Sequence, residues 1–158
     1  MADILKPERK EIDGETFEFY FLPIEKSMKT LVKLFKIVGP AMGELAEAVP
    51  EGGNVDAMLD EEVAASAFIR GLAIVADRVS DEEIWEICRT MIDRTKDSKG
   101  MDIQTASYFE GRPMHLLKVA GTSIWFNYKD FLKGFVGTAQ KRNSKVKARR
   151  PTSPKTSE

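Results

Sequence analysis

Seven of the chain's fourteen aromatic residues fall between Tyr108 and Phe135, and the stepping inside that stretch constrains the fold most. Leu117, Ala120, Ile124, Tyr128, Phe131 and Phe135 follow one another at intervals of three and four. That spacing puts them on one face of a single helix. Trp125, Leu132 and Val136 form an adjacent stripe. A helix apolar over so much of its circumference is either central to a core or partly a docking surface. Pro113 suits the first turn of this helix, where its missing N–H has no intrahelical partner to lose.

The rest of the chain supplies elements to pack around it. Lys10-Glu11-Ile12 and Glu15–Phe21 flank Asp13-Gly14. An Asp-Gly pair between extended segments predicts a hairpin, because both central residues of a type I′ turn need positive φ. Phe17, Phe19 and Phe21 alternate with Glu18 and Tyr20, so one face of the hairpin is apolar and needs a helix beneath it. Pro23 closes the strand and opens a helix with Met28, Leu31, Val32, Phe35 and Val38 at helical spacing and Lys26, Lys29, Lys33 and Lys36 elsewhere on its surface. Gly39-Pro40 is expected to stop or kink it, with a short second helix from Ala41 to Val49. Pro50–Asn54 reads as a loop. Asp60-Glu61-Glu62 places negative charge at the start of the next helix, where the helix dipole favours it. Its buried stripe is Val63, Ala67, Phe68, Gly71, Leu72, Val75 and Val79. Ser80-Asp81-Glu82-Glu83 is a capping box opening a further amphipathic helix through Ile84, Ile87, Cys88, Met91 and Ile92. Thr95 to Gly100 reads as a polar linker. The resulting expectation is a mainly α protein, an N-terminal β-hairpin packed on a bundle of about five helices, with a flexible N-terminus (1–9), one helical domain (10–137) and a basic, disordered C-terminal tail (138–158).

Charge is unevenly spread. The net charge is −1. Residues 141–158 hold Lys141, Arg142, Lys145, Lys147, Arg149, Arg150 and Lys155 against Glu158, and the remainder carries seventeen bases against twenty-four acids. An acidic body with a basic tail suits contact with nucleic acid or acidic partners, or simply a solvated tail. No aromatics interleave with the tail's bases, so non-specific, salt-sensitive contact is the most that pattern supports. No apolar run reaches the ~20 residues of a membrane span, and Met1–Lys6 lacks the core of a signal peptide. A single cysteine excludes an internal disulfide framework and suits a reducing compartment. The location expected is the cytoplasm.

Catalytic signatures are missing. His115 is the only histidine and has no metal-ligand spacing around it. It reads as an ordinary first-turn helix residue. Cys88 lies on an apolar stripe, where a thiol is inert. The acidic triplets at 60–62 and 81–83 are explained by helix starts. No phosphate-binding loop, dinucleotide fingerprint or nucleophile elbow occurs. The expected protein is therefore not an enzyme and takes no cofactor and no metal.

The order of features carries a resemblance. "E-I-D-G-E-T-F-E-F" leads into "L-P" and a Lys/Leu-rich helix ending in Gly-Pro. Later come "Y-F-E-G-R-P-M-H-L-L-K-V" and "W-F-N-Y-K-D-F". This layout, over roughly residues 10–137, resembles the tail assembly chaperones of long-tailed bacteriophages. The resemblance implies a largely helical, non-enzymatic protein of the host cytoplasm. Such a protein coats the tape-measure protein, keeps it soluble, helps recruit tail-tube subunits and is absent from the mature virion. Many members have a longer form made by a programmed frameshift, which contacts tube protein. On stripe width, the docking face is expected around Trp125, Phe126, Leu132 and Val136, with Phe35. The alternatives are a structural adaptor that stays in the particle, or a nucleic-acid-binding regulator acting through the tail. Self-association is left open.

Overall fold

A computed structural model of the chain describes residues 6–48 and 59–149, with side chains placed over 6–43 and 59–138. Strands β1 (Glu8–Ile12) and β2 (Glu15–Phe19) form the expected antiparallel hairpin. Ile12 pairs with Glu15, and the turn residues Asp13 and Gly14 have φ of 51° and 83°. A third, two-residue strand, β3 (Thr95–Lys96), joins the other edge of β2. It lies within the Thr95–Gly100 segment whose polarity predicts a linker. Two residues are too few to show alternation; what makes them a strand is the open edge of β2 beside them.

Five helices follow the hairpin pattern: α1 (Ile24–Ala48), α2 (Glu61–Val75), α3 (Asp81–Ile92), the single turn α4 (Thr105–Tyr108) and α5 (Pro113–Arg149). Local chemistry explains their starts. The Pro23 carbonyl accepts from Ser27 N at 2.8 Å. The Asp60 side chain caps α2 by accepting from Val63 N at 2.9 Å. Ser80 and Glu83 form the reciprocal capping box of α3. Gly111, at φ 74°, makes the sharp entry into α5.

Three helix and strand boundaries differ from expectation. α1 runs straight through Gly39-Pro40 as one element, so the separate helix from Ala41 is its continuation. Proline there removes one i→i−4 bond, and the packing on both sides keeps the helix going. α5 continues to Arg149, past the point where the apolar periodicity ends. The next helix breaker is Pro151, so nothing in 138–149 stops the backbone ladder. β1 begins at Glu8, inside the segment read as flexible. The Pro50–Asn54 loop and residues 150–158 of the tail lie outside the described residues.

The core lies around the middle of α5. Val119, Ala120, Thr122, Ser123, Ile124 and Phe126 are all buried. With Gly121, seven of the eight residues 119–126 are buried and the eighth, Trp125, partly so, which leaves no solvent face and defines a central helix. The hairpin lays Phe17, Phe19 and Phe21 on it, with Phe21 stacked on Phe126 at 4.3 Å. α2 makes the most extensive helix packing with α5, and α1 packs on both. Two glycines permit this closeness. A Cβ at Gly121 would lie 2.8 Å from Ala65 Cα, and one at Gly71 would run into the Ile37 carbonyl.

The polar groups on this central helix are partnered, as burial requires. Ser123 Oγ donates to the Met91 carbonyl of α3 at 2.6 Å. Asn127 Oδ1 accepts from Leu22 N at 3.0 Å. Tyr128 OH donates to the Ser27 carbonyl of α1 at 2.7 Å. One helix thus holds α3, the strand-to-helix connection and the start of α1.

Replacing Gly71 by Ala is expected to cost roughly 1–3 kcal/mol, because the obstructing atom is backbone and cannot rotate away. The melting temperature should drop by several degrees, about 2–8 °C per kcal/mol. Gly134→Ala on the same protein meets nothing within 4 Å and should be neutral or raise it. Thermal melts of the two variants check the pair.

Candidate docking surface

The five residues expected to form a docking face do not lie on one face. Phe126, Leu132 and Val136 are buried in the core. Trp125 is partly buried and lines a charged groove with Lys10, Asp60, Glu61 and Lys118. Phe35 lines a different, apolar cleft with Phe131 and Phe135. The wide apolar surface of α5 has a simpler cause than docking. It packs against α1 and α2 at once, and two partners consume two stripes. Phe131, read as part of the core face, is instead 42% exposed. The basic tail residues Lys141, Arg142, Lys145, Lys147 and Arg149 fall on the distal part of α5, where side chains are not described, and Arg150 lies outside the described residues.

The exposed apolar face is on α1. Ile24 (77%), Met28 (54%), Val32 (64%) and Phe35 (42%) are solvent-facing and step by four, four and three. These positions span about 80° of the helix circumference at 100° per residue. Met28, Val32 and Phe35 were picked out by spacing, yet the buried face of α1 is Thr30, Leu34, Ile37, Val38, Ala41 and Met42. α1 therefore has two apolar faces and only one is used by the fold. The sequence did contain a signal for this: Ile24 to Val38 holds more apolar residues than one helical face can carry.

Phe35 joins this face to α5. Its ring packs edge-on against Phe135 at 5.0 Å and Phe131 at 6.0 Å. Beneath lies a cleft lined by Leu31, Leu34, Val38, Met42, Ile124 and Tyr128, with about 20 Å³ of free space. That is room for about one water, and the lining offers it nothing to bond, so the three rings close the cleft. Stripe and rings together form a continuous apolar ridge along the α1–α5 junction, of the kind that marks a protein interaction site.

A second cluster, missed by the sequence reading, anchors the hairpin. His115 is buried between Phe17 and Phe109, with ring centroids at 5.6 and 5.7 Å. Its Nδ1 lies 3.3 Å from Asp13 Oδ2 and its Nε2 3.1 Å from Glu15 Oε2. Glu15 also accepts from Arg112 at 2.8 Å and from Tyr108 OH at 2.9 Å. Lys118 reaches both Asp13 oxygens at 3.1 Å. Hydrogen bonds from Lys118 and His115 hold the Asp13 carboxyl below its usual range; Arg112, with Tyr108 and His115, does the same for Glu15. The only histidine is thus a bridge between the turn and α5. No spacing rule links residues a hundred positions apart.

Burial pushes the Cys88 thiol up to about 11, which leaves it unreactive at neutral pH. Among the described residues no group of His, Cys, Asp and Glu side chains is arranged to hold a metal ion. No described helix is long and apolar enough to cross a membrane.

The family model for "phage tail assembly chaperone protein, TAC" matches residues 13–138. No curated protein and no solved structure matches.

Two outcomes follow for folding. Leu132→Asp buries a carboxylate in the core and should abolish the cooperative melt, while Val32→Asp on the exposed stripe should leave it within about 0.5 kcal/mol; circular dichroism melts separate them. The depressed pKa values of Asp13 and Glu15 mean that their ionised forms favour the folded state. Their contribution is present above the unfolded carboxylate range and is lost as pH falls below about 4. Asp13→Asn with Glu15→Gln should lower stability at pH 7 and flatten the acid limb of a stability–pH profile.

Proposed function

The chain belongs to the phage tail assembly chaperone family, and from that premise we propose that it covers the apolar helical faces of the tape-measure protein before the tail is built. It keeps that protein soluble, helps bring tail-tube subunits to it, and leaves before the particle is complete. It acts in the host cytoplasm and without catalysis. The observation that carries this reading is the α1 stripe of Ile24, Met28, Val32 and Phe35, continued by Phe131, which the fold leaves in solvent. A tape measure must present long apolar helical faces, and such faces aggregate unless covered. An amphipathic helix can lay its stripe along the α1–α5 ridge, as in helix-in-groove recognition. Because Val32, Met28 and Phe35 are about half exposed already, covering what remains of each contributes roughly 0.5–2 kcal/mol, enough for reversible binding from several anchors together.

Co-expression with the tape-measure protein tests this. The native chain should hold that protein in the soluble fraction. Val32→Asp combined with Met28→Asp should release it into the pellet while the chaperone's own melting temperature stays unchanged. Undiminished solubilisation by the double variant would remove the α1 stripe from the mechanism.

A further inference from the structure

The border of the α1 stripe carries charge that the fold does not consume. Between Ile24 and Gly43, α1 has four lysines and one acid, Glu25. Lys26 and Lys33 turn toward α3, reaching Asp93 at 2.7 Å and Glu86 at 3.2 Å. Lys29 and Lys36 do not. Both are exposed, and at 100° per residue they lie about 40–60° beyond Val32, along the outer edge of the stripe. Lys29 meets only Glu25, at 2.9 Å, in a pair whose members are 74% and 82% exposed. Such a pair is worth little and exchanges readily for another carboxylate. A ridge with lysines along its outer edge thus sits on a body whose charge outside residues 141–158 is acidic by seven.

We infer that this ridge selects an amphipathic helix with acidic residues beside its apolar stripe, about one heptad apart, facing Lys29 and Lys36. The inference rests on the docking reading above and names the partner segment that reading leaves open. Charge complementarity decides among occupants. A second copy of this chain would bring two lysine-edged stripes together, and like charges across an interface disfavour that pairing. A helix with Lys or Arg at the same positions is rejected for the same reason. A carboxylate-edged helix gains attraction on the side nearest Val32 and steering on approach, both weakened by salt.

Two synthetic helical peptides of about 21 residues, three heptads, provide the probe. They share one Leu/Ile stripe; one carries Glu at the flanking positions and the other Lys. Fluorescence anisotropy with the full chain should show the Glu-flanked peptide binding about tenfold tighter at low salt, with the gap closing as salt rises. Lys29→Glu with Lys36→Glu should invert the preference, and Val32→Asp should weaken both peptides. Equal affinities, or a preference untouched by the double lysine variant, would overturn the charge selection and leave the docking surface standing. Failure of both peptides to bind would overturn the docking surface itself. A dimer of the free chain that Val32→Asp dissociates would overturn the inference by making a second copy the occupant.

Discussion

Close burial of the middle of α5 is the constraint from which the remaining arrangement follows. Residues 119–126 touch neighbours on nearly every side, so hairpin, α1, α2 and α3 must all approach one helix. Two of the helix contacts, α2 on α5 and α2 on α1, depend on a missing side chain. Gly121 faces Ala65 and Gly71 faces the Ile37 carbonyl, and any Cβ at either point would force the helices apart. Because interiors are close-packed, separating two helices there would loosen contacts along their whole length. The polar side chains Ser123, Asn127 and Tyr128 of the same helix, buried or partly so, each bond to a different neighbour. They fix register as well as satisfying themselves.

Hydrophobic burial alone would leave the two-residue turn of the hairpin poorly held, since its tip is Asp13-Gly14 and carries no apolar group. Electrostatics complete the attachment. Asp13 and Glu15 meet Lys118, His115, Arg112 and Tyr108, all contributed by the start of α5 and the turn before it. The histidine ring serves both purposes, packing at a tilt between Phe17 and Phe109 while its nitrogens reach the carboxylates. With the hairpin, α2 and α3 seated in this way, the inner face of α1 is fully used and its outer face is left over.

Much of the fold was legible because it is written in short-range chemistry. Asp13-Gly14 specifies its turn, Asp60 and Ser80–Glu83 specify helix starts, and the periodic residues of α2 and α3 fall on the faces that are buried. Gly39-Pro40 does not end α1, because a proline's local cost, one hydrogen bond and a steric clash, is outweighed by packing on either side of it. β3 was hidden because two residues show no pattern. The exposed apolar stripe was hidden for a related reason. Trp125, Phe126, Leu132 and Val136 looked surplus on α5, but α5 has two large helical neighbours, whereas α1 keeps Ile24, Met28, Val32 and Phe35 largely in solvent.

What the amino-acid sequence determined by itself was the set of elements, their caps and turns, the family layout, and the presence of more apolar helical surface than one face per helix requires. Which of those surfaces stays in solvent was decided only in three dimensions. Periodicity states which residues share a helix face, and it is unchanged when the helix is rotated about its axis. Burial depends on that rotation, and the rotation is set by contacts far apart in the chain: Gly71 on Ile37, Gly121 on Ala65, Tyr128 on Ser27. Those contacts turn Leu34 and Ile37 inward and leave Met28, Val32 and Phe35 facing out.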